Sequence, residues 1–107
     1  MIRKIIMSPR ALNNLDRYYR RASKQAPQTA KIWIARFKRS IASLEKSAER
    51  CSIAMESRYV PFEVRQLRFG KRTGAFRVLF SLTPAEVHVL HIRRASQGRA
   101  KRREIED

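Results

Sequence analysis

The sequence predicts an α+β fold of element order β-α-α-β-β-β, with an N-terminal helical hairpin packed on a small, mainly antiparallel sheet. Three features carry that expectation. Ala30, Trp33, Ile34, Phe37, Ile41, Leu44 and Ala48 recur at helical spacing and make one continuous apolar face. Phe76, Val78, Phe80 and Leu82 alternate at strand spacing. Thr83-Pro84-Ala85-Glu86 then reads as a turn into a last strand over 87–93.

The elements follow in order. Residues 2–7 read as a short strand interrupted by Arg3 and Lys4. Ser8-Pro9 supplies a helix start, serine as N-cap and proline at the first helical position, where its missing N–H is tolerated. Leu12, Leu15, Tyr19 and Ala22 form the expected inward stripe, with Arg17, Arg20, Arg21 and Lys24 opposite and Tyr18 on the flank. Pro27 breaks the chain and opens the second helix, close enough to the first to fold back on it. Residues 51–61 lose all period and read as a loop. The stretch 62–69 is strand-like but changes phase: Phe62 and Val64 share one parity, Leu67 and Phe69 the other. A bulge near Arg65 and Gln66 would reconcile them. Residues 70–74 are a basic turn.

A chain of 107 residues suffices for one domain, expected over 1–95 with a charged C-terminal tail over 96–107, mobile or a short frayed helix. The charge is lopsided: 25 Lys and Arg against 9 Asp and Glu, net +16. Such self-repulsion points to an anionic partner, nucleic acid first and an acidic protein second. The single cysteine, Cys51, excludes an intrachain disulfide and a multi-cysteine metal site, and suits a reducing cytoplasm. The broken apolar pattern at the N-terminus is neither a signal peptide nor a membrane span. No metal site and no cofactor motif is expected.

Register decides which side chains share a face. Pairing Leu82 with Val87 sets Phe80 opposite Val89, Val78 opposite His91 and Phe76 opposite Arg93, on the face expected to meet the helices. The other face then carries Arg77, Leu79, Ser81, His88, Leu90 and Ile92, with Arg94 beyond and Gln66 and Arg68 joining from the preceding strand if the bulge lies near Arg65 and Gln66. Arg68, Arg77 and Arg94 would converge there, overhung by Lys71 and Arg72, as a seat for phosphate. A slip of one residue would scatter them.

The two-helix start (12–19 and 30–44), the run Val64-Arg65-Gln66-Leu67-Arg68-Phe69, the strand 74–80 and the strand 87–94 together resemble the RelE/ParE toxin superfamily of type II toxin–antitoxin systems, over roughly residues 2–95. The resemblance implies a small growth-inhibiting toxin neutralised by an antitoxin with an acidic or amphipathic segment. RelE-type members cut mRNA on the ribosome; ParE-type members inhibit DNA gyrase. By position, Arg68, Arg77 and Arg94 look like the basic residues that, in RelE-type members, contact the phosphate and its transition state. Arg65, Lys71, Arg72 and His88 complete the expected RNA-binding set. Two departures stand out: Gln66 replaces a frequent lysine, and no Tyr or His follows Arg94. RNA cleavage needs a proton acceptor and donor, and arginine serves poorly as a base. On charge, the expectation is a ribosome-dependent endoribonuclease. Non-catalytic gyrase inhibition and plain RNA binding are the alternatives.

Overall fold

The computed structural model describes residues 2–106, Thr73 by its backbone alone. Five strands make one mixed sheet in the order β1-β5-β4-β3-β2: β1 (Lys4–Met7), β2 (Ser52–Ile53), β3 (Arg65–Phe69), β4 (Phe76–Leu82) and β5 (Glu86–Arg94). β1 lies parallel to β5, and every other neighbour is antiparallel. The hairpin of α1 (Pro9–Gln25) and α2 (Pro27–Ala42) covers one face, with the short α3 (Leu44–Ser47) continuing from α2. A fourth helix, α4 (Arg102–Glu106), packs on the other face, where Ile105 joins Leu79 and Val64. The expected α+β order is present, with β2 added inside the stretch read as loop.

α1 starts where the sequence puts it. The Ser8 hydroxyl accepts the Ala11 N–H at 3.0 Å and donates to the Leu90 carbonyl at 2.9 Å, and the Ser8 N–H bonds the Val89 carbonyl. β1 stops at Met7 opposite Val89, so the outer edge of β5 beyond that point needs other partners. Ser8 takes one such group, and Asn14 accepts the Ile92 N–H at 3.0 Å. The inward stripe of α1 differs from the expected one. Ala11 and Leu15 are buried and Tyr18 packs on Phe76, whereas Leu12 is 52% exposed. Small Ala11, rather than Leu12, lets the helix start lie against β5. The apolar face of α2 is as expected, with Phe37 at its centre stacked on Phe69 at 4.4 Å.

The sheet is buried on both sides, and this resolves the phase problem before β4. Leu67 and Phe69 face the helical hairpin, while Val64 faces the C-terminal segment with Val60, Leu79, Ala100 and Ile105. A strand covered on both faces carries apolar residues at both parities. β3 therefore pairs β4 without a break, and the bulge expected near Arg65 and Gln66 is absent; Phe62 lies outside the strand, 37% exposed. The irregularity lies in β5. Phe80 pairs Val89 but Leu79 pairs His91, leaving Leu90 as the extra residue.

Candidate functional site

That one extra residue inverts the faces of everything after it. Past Leu90, Val78 pairs Ile92, Arg77 pairs Arg93 and Phe76 pairs Arg94. Ile92 enters the core under the helices, and His91 and Arg93 pass to the opposite face beside Arg77. The expected three-arginine seat is thus corrected. Arg68 and Arg77 do lie side by side, directly paired across β3 and β4. Arg94 is on the other side of the sheet, its guanidinium carbon 5.5 Å from the Phe76 ring centre and 6.0 Å from that of Tyr18. His91 is buried as a core-edge histidine should be, but on the face away from the helical hairpin.

The face that sequence left open is covered by the segment after β5, so the charged tail is part of the packed fold. Its anchor is an ion pair between Glu56, with no exposed surface, and Arg77, 6% exposed. Arg77 Nη2 donates to Glu56 Oε1 at 2.6 Å and Nη1 to Oε2 at 2.8 Å, a fork-on-fork geometry. Arg77 Nε donates to the Gln66 side chain at 2.9 Å and Nη1 also to the Gly98 carbonyl at 3.3 Å. The second Glu56 oxygen accepts the Ala100 N–H at 2.9 Å, fastening the tail to the same carboxylate. Burial works against ionisation of Glu56. The Arg77 hydrogen bonds, the Ala100 N–H and the Arg77 charge outweigh it and hold the carboxyl below its ordinary range. Tyr59 adds a hydroxyl donated to the Ala100 carbonyl.

A second charged group sits beside this pair. Arg93 donates to Glu104 Oε1 at 3.2 Å, to the Gln97 carbonyl at 3.2 Å and to His91 Nε2 at 3.3 Å. Only a neutral imidazole can accept at that nitrogen. Burial, with Arg93 and Arg10 nearby, lowers the His91 pKa to about 4 despite the opposing pull of Glu104. At neutral pH His91 is therefore a neutral imidazole, with no imidazolium proton to donate.

The remaining predicted residues divide. Arg68 is exposed and lines a shallow cleft of about 370 Å³ with Gln66, Arg77 and Arg99. Arg65, paired with Ile53 and Phe80, faces the helical side and donates to the Glu49 and Cys51 carbonyls at 2.9 and 3.0 Å, with Glu63 on its Nε. Lys71 and Arg72 are exposed in the β3–β4 turn, which Gly70 enters at φ +91. His88 is bonded to Glu86 at 3.0 Å near the far turn, remote from the arginines. Glu56, Arg93 and Arg99 were missed by sequence reasoning. For Glu56 one signal existed: an arginine flanked by apolar strand residues requires a carboxylate, and the chain has only 9 acids to offer.

Among the described residues no group of His, Cys, Asp or Glu could hold a metal, and no helix is long and apolar enough to cross a membrane. The arrangement can anchor a tail and present Arg68 and Arg99 at one cleft.

Residues 5–98 match the model of the family described as ParE toxin of type II toxin-antitoxin system, parDE. Among curated proteins no sequence matches the chain. A solved structure described as the chromosomal ParDE TA system from P. aeruginosa superposes with a TM-score of 0.69 at 20% identity, covering 87% of this chain and 96% of that one. At that identity the likeness concerns the fold.

Proposed function

This chain belongs to the ParE toxin family of type II toxin–antitoxin systems, and from that premise we propose that it acts without catalysis, by binding DNA gyrase and blocking it. The observation that carries this reading is the engagement of Arg77. A transition-state arginine must have donors free for a developing phosphorane; here they are directed at Glu56, Gln66 and Gly98. Arg94, on the opposite face, cannot join it, and the neutral His91 lies under the tail. Inhibition by docking needs none of these groups to react. The ribosomal reading expected from charge retains one supporting observation, the exposed pair Arg68 and Arg99 beside the shallow cleft.

The antitoxin is the partner expected of this family. We assign its amphipathic segment to the groove between α1, α2 and the edge strand β1. Leu12 is half exposed there among Ile5, Met7, Leu15, Ile34 and Ile41, with Lys38 at the rim. Apolar anchors of a helix or strand fit such a groove, whose charged lining is Lys38 with Asp16 and Glu45, so apolar burial carries the contact and a partner acid has Lys38 to meet.

Two assays separate the readings. Purified chain added to a translation extract should leave mRNA intact, and the same preparation should block DNA supercoiling by gyrase. Breaks positioned on codons, with supercoiling unaffected, would restore the endoribonuclease. RNA retained on the protein with neither effect would favour plain RNA binding. For the groove, Leu12→Glu should weaken antitoxin capture at least tenfold by calorimetry while the variant melts as the parent does. Unchanged affinity removes the groove from the interface.

A further inference from the structure

We propose that the chain carries a nucleotide-binding cleft at the tip of the helical hairpin, taking a base and its phosphate, either as a free nucleotide or within a single strand. This inference is independent of the gyrase reading. The cleft, about 410 Å³, opens between the junction of α1 and α2 and the β3–β4 turn. Its volume lies within the usual span for small-ligand sites.

Two kinds of group line it. Tyr18 and Trp33, both half-buried, supply aromatic surface backed by the buried Phe76, Tyr18 edge-on to Phe76 at 4.9 Å and Trp33 tilted on Phe76 at 5.5 Å. Arg94 and Arg21 supply positive charge from β5 and α1. Arg94 is held over the Phe76 and Tyr18 rings and, among the described residues, is in no ion pair. In a chain whose buried arginines each have a carboxylate, Arg77 with Glu56 and Arg93 with Glu104, a half-buried arginine stacked on rings and facing a cavity has charge available for a ligand.

The ligand follows from the pairing of these features. A lone carboxylate or phosphate needs one or two guanidinium groups but not an aromatic wall or a cleft of this size. A nucleobase needs the rings, since stacking on aromatics and on guanidinium planes binds bases with little regard to sequence. Its phosphate needs the arginines. Gln25, also on the wall, can meet a base edge. The bulge at Leu90 creates the site, because without it Arg94 would point to the other face.

The chain contains a built-in reporter: Trp33 is its single tryptophan, and it lines the cleft. Full-length protein should be titrated with adenosine monophosphate, with a ten-nucleotide single-stranded DNA and with inorganic phosphate, reading Trp33 fluorescence. Saturable quenching is expected from at least one of the first two, with phosphate competing but not quenching. Quenching by the monophosphate at an affinity equal to that of the strand identifies a free nucleotide as the ligand; quenching by the strand alone identifies single-stranded nucleic acid. Arg94→Gln and the exposed Arg21→Gln should each weaken binding at least fivefold, with circular dichroism unchanged for Arg21→Gln. The proposal is overturned if neither nucleotide nor strand quenches at millimolar concentration. It is equally overturned if both variants bind as the parent does, or if only an acidic peptide quenches.

Discussion

An arginine buried to 6% exposure beside a fully enclosed glutamate carries two desolvated charges, each tolerable only because of the other. Removing one partner leaves the second unpaired, so Arg77→Ala should cost about 3–5 kcal/mol of stability by urea unfolding. Replacing both, as Arg77→Met with Glu56→Leu, should recover most of that loss, since apolar groups of similar volume end the desolvation penalty. An Arg77→Ala chain as stable as the parent would show that the pair is not what holds the tail. His91 adds a pH dependence. Its pKa falls from an ordinary 6.5 to about 4 on folding, so between these values the unfolded chain binds the extra proton. Stability is therefore complete above about pH 6.5 and drains as pH falls toward 4, by roughly 3 kcal/mol at the limit. His91→Gln should flatten that part of the curve. The depressed pKa of Glu56 extends the loss below the ordinary carboxylate range. At this scale the sequence was half legible. Arg68 and Arg77 on one face follow from plain alternation; Arg94 does not, because one bulged residue reverses parity without changing composition. A signal was present nonetheless: strict alternation aimed His91 and Arg93 at the core and Ile92 at solvent, an inversion that a bulge at Leu90 corrects.

The elements differ in how strongly sequence specifies them. α2 presents five apolar residues at helical spacing, continued by Leu44 and Ala48 beyond it, and was readable throughout. α1 was readable in extent, through Ser8-Pro9 and Pro27, and Leu15 is buried as expected, but alanine at 11 packs where leucine at 12 was expected. Ser8→Ala should cost about 1 kcal/mol in thermal or urea melts through the lost N-cap, and somewhat more because the Leu90 carbonyl also loses its donor. No change in stability would mean that α1 starts without its cap. The tail escaped sequence reading for a physical reason. Its burial rests on two apolar residues, Ala100 before the helix and Ile105 within its 5 residues, too few to show a period. Ile105→Ala should destabilise by about 2 kcal/mol, the low end for a buried isoleucine because the site can relax at the surface. Hydrogen exchange should then quicken first at Ala100, whose N–H bonds Glu56. Exchange unaltered at Ala100 would contradict docking of the tail through Ile105.

For the whole molecule, the net charge of +16 dominates. The compact state concentrates that charge, so added salt should raise the melting temperature over the range from about 10 to 150 mM, as the Debye length shortens from about 30 to 8 Å. The fold class and element order were legible because they rest on long periodic segments. The ordering of the sheet, with β1 parallel at its edge and β2 at the other, depends on pairings between distant residues that no local pattern records. Function followed the same division. Charge alone pointed to the ribosome, whereas the engagement of Arg77 by Glu56 is what supports the proposal of a toxin that works by contact. DNA supercoiling by purified gyrase, titrated with the parent chain and with the folded Arg77→Met and Glu56→Leu double variant, tests this most directly. Both should inhibit with equal potency. Supercoiling untouched by the parent, or inhibition lost in a double variant that still melts cooperatively, would contradict the account.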